Sequence, residues 1–155
     1  MSASLLTVFE WWGATPLGIW MHHSRWAFAA IETLHLLGIA ALGGAVIVVE
    51  LRALDLLKVR AAPHLFARQL APWLFGNLLL LSTGLLLVAA APLKYYYNAA
   101  FAAKLIFLLL ATLSYPLLHR PGLDQAGRRA RYGGALLSLL LWASIGVAGR
   151  AIGLL

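Results

Sequence analysis

Residues 78–91 read LLLLSTGLLLVAAA and residues 105–113 read LIFLLLATL, two stretches without an ionisable side chain and without a polar face at helical spacing. A helix of a soluble bundle keeps a polar stripe toward water, so hydrocarbon is the solvent that suits these segments. The remainder agrees: 63% of the 155 residues are hydrophobic and 11% are charged, a balance suited to a bilayer rather than an aqueous core.

Four spans use nearly the whole length and leave no room for a separate soluble domain. The first is expected over about residues 25–49, ending in Glu50, Arg52, Asp55, Lys58 and Arg60. At 1.5 Å of rise per residue such a helix crosses roughly 30 Å of hydrocarbon. The second is expected over about 70–92, with the breaker Pro72 near its start, followed by an aromatic interface turn of Lys94, Tyr95, Tyr96, Tyr97 and Asn98. The third covers about 99–118 and the fourth about 132–155. Residues 1–23 carry Phe9, Trp11, Trp12 and Trp20 around Gly13 and Pro16, with no basic stretch ahead of the apolar part as a signal peptide would have. They read as a helix and turn anchored by tryptophan on the membrane surface. The predicted fold is one all-α domain over 1–155, an integral membrane four-helix bundle with an N-terminal interfacial helix.

The net charge of +7 sits mainly in two loops: Arg52, Lys58, Arg60 and Arg68 after span one, and Arg120, Arg128, Arg129 and Arg131 after span three. Only Arg25, Lys94 and Arg150 fall on the other side. The positive-inside rule puts those loops in the cytoplasm and both termini outside it, periplasmic if the host is the bacterial inner membrane. Basic residues so placed are topology signals, and no nucleic-acid partner is expected. The absence of cysteine removes thiolate metal sites, iron–sulfur clusters and covalent haem attachment. Nor is there a GxSxG, P-loop or HExxH motif for hydrolysis or phosphate chemistry.

Ionisable residues inside the bilayer are the informative ones, because an unpaired charge there costs several kcal/mol. Three qualify: Glu32, His35 and Lys104. Helical rise places them roughly 10, 15 and 9 Å from the outer end of their spans. Glu32 and His35, three apart, share a helix face and can form a carboxylate–imidazole pair, while Glu32 and Lys104 lie at matching depth for an ion pair. One reading is purely structural, with Glu32 and Lys104 paired and His35 a hydrogen-bonded packing residue. The other is a cofactor or proton site between spans one and three: imidazole is the usual axial ligand of b-type haem, and Gly38 leaves room for a flat macrocycle. A second ligand could come from His119 at the end of span three or His64 before span two, whereas His22 and His23 lie on the outer face. Lys104 could bind iron only if neutral. Arg52, Arg120 or Arg150 could hold haem propionates.

The run Ile31-Glu32-Thr33-Leu34-His35-Leu36-Leu37-Gly38, then Gly43-Gly44, Glu50-Leu51-Arg52, Lys94-Tyr95, Asn98, Phe101, Lys104-Leu105, His119-Arg120, Trp142 and Gly149-Arg150, resembles a group of small bacterial four-helix membrane proteins of unknown function. The resemblance covers almost the whole chain and implies the fold but no activity. More distantly, a His on the first helix, an Arg about 17 residues on and a Lys opening a later helix are similar to HemJ-type protoporphyrinogen oxidases and CopD-like membrane domains. That resemblance implies haem or porphyrin binding at His35 and Lys104. Where HemJ-like sequences carry a Pro before the Arg and a His after it, this chain has Glu50-Leu51-Arg52 and no such His. Haem binding is therefore the expectation rather than porphyrinogen oxidation. With Met1 and Met21 the only methionines, a copper(I) path is poorly supplied with ligands.

Three functions follow as expectations. The first is a membrane b-type haem protein passing electrons between a quinone or partner redox protein and an acceptor, with His35 and His119 as iron ligands. The second is a non-catalytic subunit or scaffold of a larger complex or homo-oligomer. The third is a small proton-coupled carrier using Glu32 and His35.

Overall fold

Ser24 sets the start of the first long helix. Its hydroxyl accepts from the Ala27 backbone N–H at 3.2 Å, satisfying one of the donors a helix N-terminus leaves open. The computed structural model of the chain describes residues 3–57, 65–118 and 127–154, with side chains from 73 onward in the second of these stretches. Among the described residues there are seven helices and no strand: α1 (Ala3–Ala14), α2 (Pro16–His23), α3 (Arg25–Ala53), α4 (Leu65–Ala90), α5 (Pro92–Tyr97), α6 (Ala99–Leu118) and α7 (Arg128–Ala151). Four of them, α3, α4, α6 and α7, contain segments long and apolar enough to cross a membrane, and the chain is a four-span membrane protein.

The helices pack α4–α3–α7–α6, each against the next, and α6 closes the ring against α4. The inner stripe of α3 is Gly38, Leu42, Val46 and Glu50, four apart, which is one face of a helix. Its partner stripe on α4 is Trp73, Asn77, Leu80 and Thr83. Contact is close because of the glycine: a Cβ on Gly38 would lie 2.8 Å from Leu80 Cδ2. Small residues that let backbones approach are how helices associate in lipid, where no hydrophobic effect drives them together. On α7 the inward residues are Ala135, Ser138, Ile145 and Ala148. The closure of α6 on α4 is polar and aromatic: the Thr112 hydroxyl donates to Asn77 Oδ1 at 3.3 Å, and the Trp73 and Tyr115 rings stack with centroids 5.2 Å apart and 9° between planes. Leu36, Leu37, Ile106, Leu109, Leu113 and Leu140 point outward, as lipid-facing residues should.

The helix ends differ from those expected by a few residues, each for a local reason. Helix α3 continues past position 49 to Ala53 and stops where Asp55 takes a left-handed backbone (φ 59°). The Asp55 carboxylate then accepts from Arg131 Nη2 at 2.6 Å and from the Tyr132 hydroxyl at 2.9 Å, tying the end of α3 to the start of α7. Helix α4 passes through position 72 without a break and ends at Ala90, while Pro92 opens the separate α5, the first helical turn being where proline fits. Arg128, Arg129 and Arg131 lie in the first turn of α7 rather than in a loop before it.

The N-terminal segment is a pair of short helices that pack on the bundle as well as on its surface. Thr15 divides them, donating its hydroxyl to the Trp12 carbonyl at 2.7 Å and accepting from the Gly18 N–H at 3.1 Å. A Cβ on Gly18 would meet the Gly13 carbonyl oxygen at 2.6 Å, so the crossing of α1 and α2 requires glycine there. Helix α2 lies against α4 and α3, and α1 against α5 and α4. Both termini are therefore at one end of the bundle, the terminal face. Arg52, Asp55, Arg128 and Arg131 mark the opposite, basic face.

Candidate functional site: an apolar cavity with one imidazole

Near the terminal face a cavity of about 400 Å³ lies between α1, α4 and α6, with His35 of α3 in its wall. Its lining includes Trp12, Leu80, Gly84, Val88, Phe101 and Leu108, and the ionisable groups in its wall are His35 and Lys104. Val8, Trp11, Leu81, Leu85 and Leu105, at the rim, are 45–64% exposed, so the cavity opens sideways toward lipid rather than along the bundle axis.

Helix α1 forms one wall of this cavity. The Trp12 indole N–H donates to the Leu85 carbonyl at 2.9 Å, and Phe9 packs edge-on against Tyr96 and Phe101, with centroids 5.5 and 6.4 Å away. The aromatic-rich start of the chain thus packs on the bundle as a wall of the candidate site.

The geometry at His35 fixes its chemistry. His35 Nδ1 is 2.8 Å from Thr83 Oγ1. The Thr83 hydroxyl has one proton, and backbone carbonyls of its own helix claim it, Leu79 O at 2.7 Å and Leu80 O at 3.3 Å. With that proton on Leu79 O, the nearer of the two, Thr83 accepts from Nδ1–H, and in this tautomer of the neutral ring Nε2 keeps its lone pair. Among the described residues Nε2 has no hydrogen-bond partner. Gly84 of α4 backs the ring edge: a Cβ there would make an ordinary 3.5 Å contact with His35 Cε1. Lys104 is close enough for its charge to act on His35, and a Cβ on Gly149 of α7 would lie 3.8 Å from Nζ.

Several expected partnerships are replaced. The second partner of His35 is Thr83, not Glu32. Glu32 is exposed and, among the described residues, within ion-pair distance of neither Lys104 nor His35. Three residues along α3 set its side chain about 60° of helical rotation from His35, enough to turn it from the cavity toward α5. There, burial first and the Glu32 carboxylate second raise the Tyr95 phenol above its ordinary 10.0. Arg150 is exposed at the terminal face, and Arg52 is half-buried at the basic face. His64, His119 and Arg120 lie outside the described residues. Among the described residues no three His, Asp or Glu side chains gather as a metal site.

Thr83 and Glu50 were missed. Thr83 lies in the inward stripe of α4, inside an apolar run whose sequence gives no sign of which face packs against α3. Glu50 closes the stripe Gly38–Leu42–Val46 at the same spacing of four and is fully buried, although its place among Arg52 and Asp55 suggests a loop charge. The spacing was the signal that could have found it.

With this geometry in view, comparison with known proteins is brief. A family of unknown function (DUF6644) matches residues 8–155. The chain belongs to this family. The match takes in the α1 wall from Val8 onward, both cavity groups and α7 to its end. No curated protein and no solved structure matches.

Proposed function

We propose that this family member is a membrane b-type haem protein that passes electrons between a quinone or partner redox protein and an acceptor, with His35 as an axial ligand. The observation that carries the proposal is the Thr83 lock: Nδ1 is held by a hydroxyl whose own proton is committed to Leu79 O, leaving Nε2 bare in an apolar cavity. Metal-binding imidazoles are oriented in this way through their other nitrogen. The distant likeness to HemJ-type proteins points to the same residue.

The residues present fit such a group. The cavity is apolar and open on the lipid side, with the imidazole in its wall. Haem, when bound, would supply one-electron chemistry. Lys104 supplies a positive charge beside it, and Arg150 and Lys94 at the terminal face are the basic groups for propionates. Arg52 stands at the far face. His119, His64 and Arg120 stay among the proposed cofactor contacts from sequence. The excess of arginine at the basic face supports a cytoplasmic orientation for it, with both termini periplasmic in a bacterial inner membrane.

The test is a reduced-minus-oxidised visible spectrum of the detergent-purified protein, with pyridine haemochrome quantitation. A b-type band at a fixed stoichiometry, lost in His35→Ala, is the expected result. A colourless protein from haem-replete cells would refute the reading and favour a non-catalytic subunit.

A further inference from the structure

Helix α2 ends on two histidines, His22 and His23, both exposed at the terminal face. Consecutive residues on a helix point about 100° apart and do not normally face each other. Here the rings meet, with centroids 5.3 Å apart and 83° between planes. His22 is held from outside its own helix: its Nδ1 is 2.8 Å from the carbonyl oxygen of Ala90, the last residue of α4. The final carbonyls of a helix have no partner within it, so Ala90 O is open to a side-chain donor. A carbonyl can only accept. The proton of the neutral His22 ring therefore sits on Nδ1, and Nε2 keeps its lone pair.

A metal-ligating histidine is arranged in this way, its other ring nitrogen donating to a backbone carbonyl that fixes the tautomer and the ring direction. The ring spacing fits as well. With a zinc–nitrogen bond of about 2.0–2.1 Å and a ring centre roughly 1.1 Å beyond the nitrogen, two imidazoles on one tetrahedral ion have centroids about 5.2 Å apart. We propose that His22 and His23 form a bidentate site for a divalent transition-metal ion such as Zn2+. His22 Nε2 is one donor, an imidazole nitrogen of His23 is the other, and water fills the remaining positions. Imidazole selects such ions over calcium and magnesium, which take oxygen ligands. The neighbouring Arg25 is exposed, so water weakens its repulsion of the ion. The site shares no residue with the His35 cavity and does not depend on the haem reading.

The test is equilibrium dialysis against Zn2+ at neutral pH of the detergent-purified full-length protein, free of any polyhistidine tag and stripped with chelator. One bound equivalent is expected that His35→Ala leaves in place. Because the two imidazoles share one ion, His22→Ala and His23→Ala should each remove that equivalent whole, and the double variant should remove no more. Nitrogen-15 spectra of histidine-labelled protein should show zinc shifting His22 Nε2 while Nδ1 stays protonated. His23 makes no hydrogen bond among the described residues, so His23→Ala decides the matter even where His22→Ala fails to fold. Partial losses that add in the double variant, which independent surface imidazoles would give, unchanged zinc uptake in His23→Ala, or loss of the Nδ1 proton on binding would each overturn the site.

Discussion

Replacing Thr83 by valine tests the tautomer argument directly, because valine matches threonine in shape and lacks the hydroxyl. Wild-type Thr83 Oγ1 is 2.8 Å from His35 Nδ1 and 2.7 Å from Leu79 O. The substitution removes the interhelical bond and leaves the Leu79 carbonyl in its helical bond. Interhelical hydrogen bonds in membrane proteins average about 0.6 kcal/mol and reach about 1.7. The expected loss is therefore a roughly 3- to 18-fold change in the folding equilibrium, small enough for the bundle to survive. The larger effect falls on the imidazole, which is free to turn and to exchange tautomers. Loss of such an orienting partner typically weakens metal binding by 10- to 100-fold. Nitrogen-15 NMR of histidine-labelled protein should show the Nδ1–H tautomer in the wild type and a mixture in Thr83→Val, with Thr83→Ser restoring the first pattern. An unchanged tautomer in Thr83→Val, or no rescue by serine, would refute the reasoning.

Other outcomes follow from the same geometry. Gly84→Ala should be accepted, since its Cβ makes an ordinary 3.5 Å contact with His35 Cε1, whereas Gly84→Phe should fill the cavity and abolish haem loading, read as the haem-to-protein absorbance ratio at unchanged thermal stability. The raised Tyr95 phenol favours its protonated form in the folded state, so its stabilising contribution is complete below pH 10.0 and is lost as pH rises through the folded value. Glu32→Gln should bring the Tyr95 ionisation, followed by ultraviolet absorbance against a Tyr95→Phe blank, to lower pH. Asp55→Ala removes the contacts to Arg131 and Tyr132, an ion pair 34% and 48% exposed, and puts alanine in a left-handed backbone, so chemical denaturation should register about 1–3 kcal/mol. Asp55→Asn should fall below that, because asparagine tolerates the left-handed backbone at φ 59°.

The sequence by itself determined that the chain is a four-span membrane protein with an aromatic start, and that His35 and Lys104 fall within two of its long apolar helices. Hydropathy is a sum over local side chains, and a run such as residues 105–113 leaves no alternative solvent. Depth along a span is likewise a matter of counting residues. What the tertiary structure decided is rotation: which way each helix turns its faces once its neighbours are packed. That rotation directed Glu32 toward Tyr95 and away from Lys104, put Thr83 opposite His35, and buried Glu50 in the stripe that Gly38, Leu42 and Val46 begin. In a span that is apolar on every side, the helical phase carries little sequence signal, because lipid and core are equally hydrophobic. Interhelical contacts such as Gly38 on Leu80, Trp73 on Tyr115 and Thr112 on Asn77 set the phase and with it the chemistry of the cavity at His35.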